Sequence, residues 1–398
     1  MTRVKPMHQN LLACLLLGLA PAVQTTGFQE LTDANIRAFL DRYDGLACEL
    51  YAKAETSALG LRNEVLLFLE EPNPEGLAAA RAAWILARKD YSRTEALRFA
   101  QGPIDSGPKD LENLINAWPV DELLIDSGPT KQGSTALGIV QDESRYPELG
   151  VDLLMQLHQR GGEVNVTLGW HAVEYLLWGQ DLSDEGPGAR TANAFRIGVE
   201  KHAARRAHYL DLALQLLCVH LGEVRGDWEA LREAEGSRGS TAADKAHSRE
   251  RVRRILVGLS IFSAFELCGE RLAVGFETRD QEEEHSCFSD TTCNDLVENG
   301  RSLELMLQLS DGQPGGAGLL ALCANAAPDE AKDLAQRLVT VRKTLAQIPA
   351  PFDQALAAAD GSEARLALEA AIEALERFSE SLGRLGRQLG WSLPIAPR

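Results

Sequence analysis

Positive charge is scarce in this 398-residue chain: 40 Lys and Arg stand against 58 Asp and Glu, a formal net charge of −18. That balance argues against nonspecific binding to nucleic acid, which needs a basic face for the phosphates. Long apolar runs are missing as well, since no uninterrupted stretch reaches the roughly 18–20 residues of a membrane-spanning helix. Aromatic residues are only 6% of the chain, but 45% is hydrophobic and 25% charged, the composition of a globular protein rather than a disordered or fibrous one. The length suits two domains or one large one. Also absent are the zincin signature His-Glu-x-x-His, a nucleophile elbow, a phosphate-cradling glycine loop and a dinucleotide fingerprint in a credible context. β-Branched runs bounded by turns are few, so little or no β-structure is expected.

What is present begins with an export signature. Residues 2–10 carry Arg3, Lys5 and His8 with no acid, Leu11–Ala20 is almost purely apolar, and Ala20-Pro21-Ala22 fits a small-x-small cleavage pattern. A signal peptide over residues 1–22 is expected, leaving a mature chain of charge −20 once Arg3 and Lys5 are removed. Cys14 precedes most of the apolar run, the wrong order for a lipid-anchored cysteine. Six cysteines remain: Cys48, Cys218, Cys268, Cys287, Cys293 and Cys323. Export permits disulfides among them. None has Cys-x-x-Cys zinc spacing, and Cys48, Cys218 and Cys268 sit in apolar helical stretches where a thiol serves as a small core residue.

Almost every segment reads as helix, because Ala, Leu, Glu and Arg dominate. The spacing of apolar residues predicts helices over 33–58, 74–99, 164–178, 192–221, 249–274, 329–346 and 363–389. Ser127–Tyr146 reads as a long connection, and 236–247 and 311–318 read as exposed linkers. The expectation is an all-α protein of two similar helical bundles, residues 23–190 and 191–398. A weak internal repeat hints at duplication: Gly169-Trp-His-Ala-Val-Glu-Tyr-Leu176 lies beside Phe262-Ser-Ala-Phe-Glu-Leu267 as x-His/Ser-Ala-apolar-Glu-apolar.

The residues able to carry chemistry fall in two places. His171 and Glu174 are one helical turn apart among Trp170, Val173, Tyr175, Leu176, Leu177 and Trp178, so imidazole and carboxylate face together from a mostly apolar element. Buried ionisable groups must be paired, hydrogen-bonded or metal-bound, and a His–Glu pair one turn apart suits either a core hydrogen bond or two ligands to one ion. Spacing alone says little, since His220-x-x-Glu223 and His247-x-x-Glu250 repeat it. The second place is Asp280-Gln-Glu-Glu-Glu-His-Ser-Cys-Phe-Ser-Asp290, whose acids, His285 and Cys287 would attract a hard or borderline cation. Glu270 and Arg271 close the apolar helix before it, and Asp295 follows it. Arg81, Arg88 and Arg98 share a helical stripe that either lines a cleft or braces the first bundle.

Gly169-Trp-His-Ala-Val-Glu-Tyr-Leu-Leu-Trp-Gly-Gln-Asp181 resembles the Gly-x-His-x-x-Glu signature of the imelysin-like family, and further motifs resemble its iron-regulated protein A branch. These are Arg81-Ala-Ala-Trp84, Ala87-Arg88, Tyr91, Thr94-Glu95, Arg98-Phe99, Gly102-Pro-Ile-Asp105, Ile115-Asn-Ala-Trp-Pro-Val-Asp-Glu122, Gly186-Pro-Gly-Ala-Arg190 and Thr278–Asp290. Together they run in order over roughly residues 30–310. The resemblance implies an exported bacterial protein of the periplasm or cell envelope, with two similar bundles, a site between them and a link to iron uptake. It places His171 and Glu174 in the signature and matches Glu270-Arg271 to the end of the corresponding second-half helix. The sequence departs at Thr291-Thr-Cys-Asn-Asp295, where Asn-Thr-His-x-Asp would be expected; if that His is a ligand in relatives, Cys293 is either a softer ligand or a lost contact.

The candidate metal residues are therefore His171, Glu174, Glu266, Glu270 and His285, with Arg271, Asp290 and Asp295 as further site residues. Iron is the expected metal and zinc the alternative. The leading expectation is a binder of iron or a small iron-containing ligand, with an envelope transport or haem protein as candidate partner. The alternatives are a metal-dependent peptidase of the insulin-cleaving type and an adaptor whose His–Glu pair is purely structural.

Overall fold

The computed structural model describes residues 31–126, 137–183, 186–309 and 318–394. The expected signal peptide over 1–22 lies outside the described residues, as do 127–136 of the expected connection and 311–317 of the glycine-rich stretch. Among the described residues the chain is helical, with no strand.

Helix α1 (Asp33–Glu70) starts where the Thr32 hydroxyl accepts from the Asn35 amide, and it outruns the expected end at 58. Its buried residues Phe39, Tyr43, Tyr51, Ala54, Ala58, Leu61, Val65 and Phe68 keep helical spacing, and the alanines among them let neighbouring helices come close. Helix α2 (Pro74–Ser92), capped by Asn73 and with Pro74 in its first turn, packs along α1. The expected helix to 99 instead gives way to a short 3₁₀ turn, Glu95–Leu97. Helix α3 (Gly169–Trp178) is buried at every residue. It packs on α2, where the Trp84 indole donates to the Trp170 carbonyl at 3.2 Å, and on the long α4 (Ala203–Gly236). Since α4 runs along α1, this first layer draws on residues beyond 190.

Helix α5 (Ala242–Ile261) begins with a capping box in which Thr241 and Asp244 bond reciprocally, so most of the expected linker 236–247 is helix and only five residues, 237–241, separate α4 from α5. Past Ile261 the winding widens into a π-helical stretch, Phe262–Ala273, and returns to α over Val274–Thr278. Helix α6 (Thr292–Gln308), absent from the sequence expectation, packs against α2 and the 95–97 turn. Helices α7 (Pro328–Leu345) and α8 (Glu363–Gln388) complete the second layer, α8 lying against the π stretch. The seam where α2 and the 95–97 turn meet α6 collects the buried polar groups. All six cysteines are unpaired thiols, so disulfides do not hold these layers together.

The signature glycine has a steric reason. Gly169 takes φ +81°, and a Cβ there would sit 2.4 Å from the Ile115 carbonyl oxygen. Only glycine accepts both conditions, and they dock α3 tightly on the short helix Leu111–Asn116. Gly169→Ala is therefore expected to destabilise the protein by about 3 kcal/mol or more, measured by denaturant unfolding, whereas Gly60→Ala, with nothing within 4 Å of the new Cβ, should be neutral or stabilising.

Candidate functional site between the helical layers

At the seam a guanidinium stands between two imidazoles. Arg88, on the inner face of α2, approaches His171 Nε2 at 3.4 Å and His285 Nδ1 at 3.2 Å through one nitrogen, Nη2. Its Nε lies 3.3 Å from Asp295 of α6, and Nη1 donates to the Asn116 side-chain carbonyl. The imidazole rings of His171 and His285 are 4.7 Å apart, centre to centre. Five separate segments supply these groups, and Arg88, Asn116, His171, His285 and Asp295 are all buried.

The other edge of His171 is engaged too. Its Nδ1 is 2.9 Å from Glu174 Oε2, and Glu174 Oε1 accepts from the Ser289 amide at 3.0 Å and the Ser289 hydroxyl at 2.6 Å. Burial, reinforced by Arg88, holds the His171 pKa well below the usual imidazole range. Burial also pushes the Glu174 carboxyl up to about 8. The imidazole is thus neutral. With a guanidinium donating to Nε2, its proton belongs on Nδ1, facing Glu174. Burial and the Arg271 charge bring His285 down to about 4. Burial opposes ionisation of Asp295, but Arg88, His285 and the Ser286 hydroxyl overcome it and hold that carboxyl far below its ordinary value.

A second ionic cluster continues from the first. Asn116 donates to Glu95 at 3.3 Å, and Glu95 accepts from Arg271 at 2.6 Å. Arg271 reaches Glu266 at 2.8 Å and bonds the Asn299 side chain. Arg98 closes the cluster on Glu95 at 3.2 Å, Glu266 at 3.0 Å and Glu112 at 3.2 Å. Burial opposes ionisation of Glu266, yet Arg98 and Arg271 keep its pKa at about 2. Glu266 and Arg271 are five residues apart. An α-helix would point them to different sides, whereas the wider π winding brings them together.

These groups border a cleft of about 290 Å³ lined among others by Glu112, Trp118, Glu266, Glu270, Arg271 and His285. Of the eight residues expected from sequence, His171, Glu174, His285 and Asp295 meet in the first cluster, and Glu266 and Arg271 in the second. Glu270 lines the cleft. Asp290 does not join them; it turns to the far side of the 280–291 segment. Cys293 stays outside both clusters, its thiol donating to the Pro349 carbonyl at 3.6 Å. Sequence reading left Arg88 and Arg98 undecided and missed Glu95, Asn116 and Asn299. The available signal was Arg88 itself, in register with Trp84 and Tyr91 on a face that is otherwise apolar. Arg81 braces the end of α3 by donating to the Leu177 and Arg190 carbonyls.

The chain is similar to known proteins over most of its length. The family model described as imelysin, peptidase M75, matches residues 47–380. Iron-regulated protein A of Synechococcus elongatus is 25% identical over 381 residues, covering 94% of this chain and 92% of that protein. Two solved structures share the fold. One, from Parabacteroides distasonis and named as an iron-regulated protein A precursor, has a TM-score of 0.69 at 16% identity, covering 91% of this chain and 96% of its own. The other, an imelysin-like protein from Psychrobacter arcticum, has a TM-score of 0.63 at 14% identity, covering 93% and 100%.

The raised Glu174 pKa has a signed consequence. A carboxyl that binds its proton more tightly folded than unfolded costs stability as pH rises between the two values, here from about 4.5 to about 8. Glu174→Gln keeps the shape without the titration. Between pH 5 and 8 the wild type should lose about 1 kcal/mol or more of unfolding free energy relative to the variant; parallel stability curves would show that Glu174 does not titrate there.

Proposed function

Since the chain belongs to the imelysin family, we propose that it is an exported iron-handling protein that takes iron, or a small iron-containing ligand, in the cleft between its helical layers. The observation that carries this reading is His285 on the cleft wall. Its Nδ1 lies 3.2 Å from Arg88 and 3.5 Å from Asp295, and its other nitrogen, Nε2, makes no hydrogen bond among the described residues. A metal on Nε2 needs the tautomer whose proton sits on Nδ1 and turns from Arg88 to Asp295, because a carboxylate behind a histidine fixes a metal-binding imidazole. Glu112, Glu266 and Glu270 supply the oxygen donors that iron favours on the same cleft. Arg98 and Arg271 beside them suit the anionic groups of an iron chelate.

His171 has a different part in this reading. Both of its nitrogens are taken, one by a cation, so it holds Arg88 and through it His285, rather than meeting the metal. The same fact weighs against the peptidase alternative, and against zinc, because a catalytic zinc needs about three protein ligands, an open position and a base. Export rests on the leader-like start. No described helix is long and apolar enough to cross a membrane. The periplasm or cell envelope is the compartment proposed, with a transport or haem protein as the recipient of the iron.

Isothermal titration of the mature protein with ferrous and ferric iron tests this. His285→Ala should weaken binding a hundredfold or more, and His171→Ala about tenfold with a lower melting temperature, since it leaves Arg88 and Glu174 without their shared partner. Equal iron binding by wild type and His285→Ala would overturn the assignment. Chelator-sensitive cleavage of an unfolded protein by the wild type would instead favour the peptidase.

A further inference from the structure

The segment that delivers His285, Ser286 and Ser289 inward sends two other side chains the opposite way. Glu284 and Asp290 meet Asp353, from the short helix Phe352–Ala357, and one carboxylate oxygen from each lies within 4.8 Å of the others. Two oxygens that each sit about 2.4 Å from a common calcium ion are at most about 4.8 Å apart, so this spacing is the one a shared ion allows.

Proximity of acids is not enough, and Glu284 supplies the second observation. It is fully buried, and neither carboxylate oxygen has a hydrogen-bond partner of good geometry among the described residues. Asp290 Oδ1 is likewise unsatisfied. Neither Glu284 nor Asp290 forms an ion pair among the described residues, although arginines neutralise Asp295, Glu95 and Glu266 in the neighbouring clusters. A desolvated carboxylate without a donor is costly, and two more carboxylates converging on it add repulsion. Burial first, and then the charges of Asp290 and Asp353, push the Glu284 pKa well above its usual range; burial, Asp181 and Asp353 bring Asp290 to about 7. Such a cluster is relieved either by protons or by a cation.

We propose that Glu284, Asp290 and Asp353 form a second site, for a hard divalent cation of the calcium class. The donors are all oxygen, and three carboxylates bound singly or through both oxygens give three to six ligands, with water completing the six to eight that calcium takes. The neighbouring Cys293 thiol does not convert this into a soft site. Burial, Glu284 and Asp353 push its pKa to about 12, so it stays protonated, and it is bonded to Pro349. The cation clamps the 280–291 segment to the 352–357 helix. It thereby fixes Ser289 against Glu174 and His285 against the cleft. The proposal does not depend on the iron reading.

The test is calcium titration of the mature protein after chelator dialysis, followed by calorimetry and by thermal melting. The wild type should bind with Kd of about 10⁻⁴ M or tighter, and millimolar calcium should raise Tm by about 2–5 °C. Glu284→Gln and Asp353→Asn should each weaken binding at least tenfold. Without calcium at neutral pH, Glu284→Gln should melt no lower than wild type, because the amide removes a buried charge while keeping the shape; a merely structural carboxylate would give a lower Tm. His285→Ala should lose iron and keep calcium, and Glu284→Gln the reverse, so failure of either site is read separately. No heat and no Tm shift with calcium up to about 10 mM, an equal shift in Glu284→Gln, or a shift given by ferrous iron alone would each overturn the proposal.

Discussion

A buried guanidinium keeps its charge, so everything around Arg88 must accommodate a cation. Asp295 supplies the countercharge, Asn116 a carbonyl, and two imidazoles present unprotonated nitrogens to it. Each partner comes from a different segment, so the charge can be satisfied only when α2, α3, α6, the 111–116 helix and the 280–291 segment are docked together. The arginine therefore fixes which nitrogen of each histidine is left bare and the fit between the helical layers. The two histidines differ in their surroundings: His171 has both nitrogens engaged, whereas His285 lines the cleft with Nε2 unbonded among the described residues.

The all-helical character was legible because apolar spacing in segments such as 33–58 and 363–389 is a local property, and local properties survive folding. Helix ends were less so. Gly60 sits within α1 although glycine weakens helices, because the packed faces on either side carry the helix through. Helix α6 went unseen because it opens on Thr-Cys-Asn-Asp and then carries Asn299, Gly300 and Ser302 inward, residues that look solvent-facing until their partners are known. The Ser302 hydroxyl accepts from the Ala96 amide at 2.8 Å, a contact between positions 206 residues apart. For the site, the His171–Glu174 contact followed from one helical turn, but the Arg88, Glu95 and Asn116 roles arise from long-range docking that no window of sequence contains. The acids of 280–290 were visible as a run. Their sorting to two sides of one segment was not, since it depends on which helix waits on each side.

Charge is distributed across this seam with a clear contrast. Where carboxylates meet arginines, as at Glu95, Glu266 and Asp295, they are held ionised in spite of burial. Where arginine is lacking or outweighed, as at Glu174 and Glu284, burial wins and the carboxyl pKa is raised. A few ångströms of chain thus separate permanent charges that fix the scaffold from groups whose charge remains adjustable.

The π-helical stretch Phe262–Ala273 makes the length of the chain, and not only its composition, a condition of the site. Exposed positions on α7 or α8 can drift with little effect on packing. Removing a single residue between Glu266 and Arg271 leaves the pair one α-helical turn apart, so the contact survives only where the wide winding tightens to α at the same place. Adding one has no such escape: it would turn Arg271 and every later side chain by about 100° relative to α5 and swing Arg271 off Glu95. Phase thus bounds the length of this stretch from above, in the way a reading frame would.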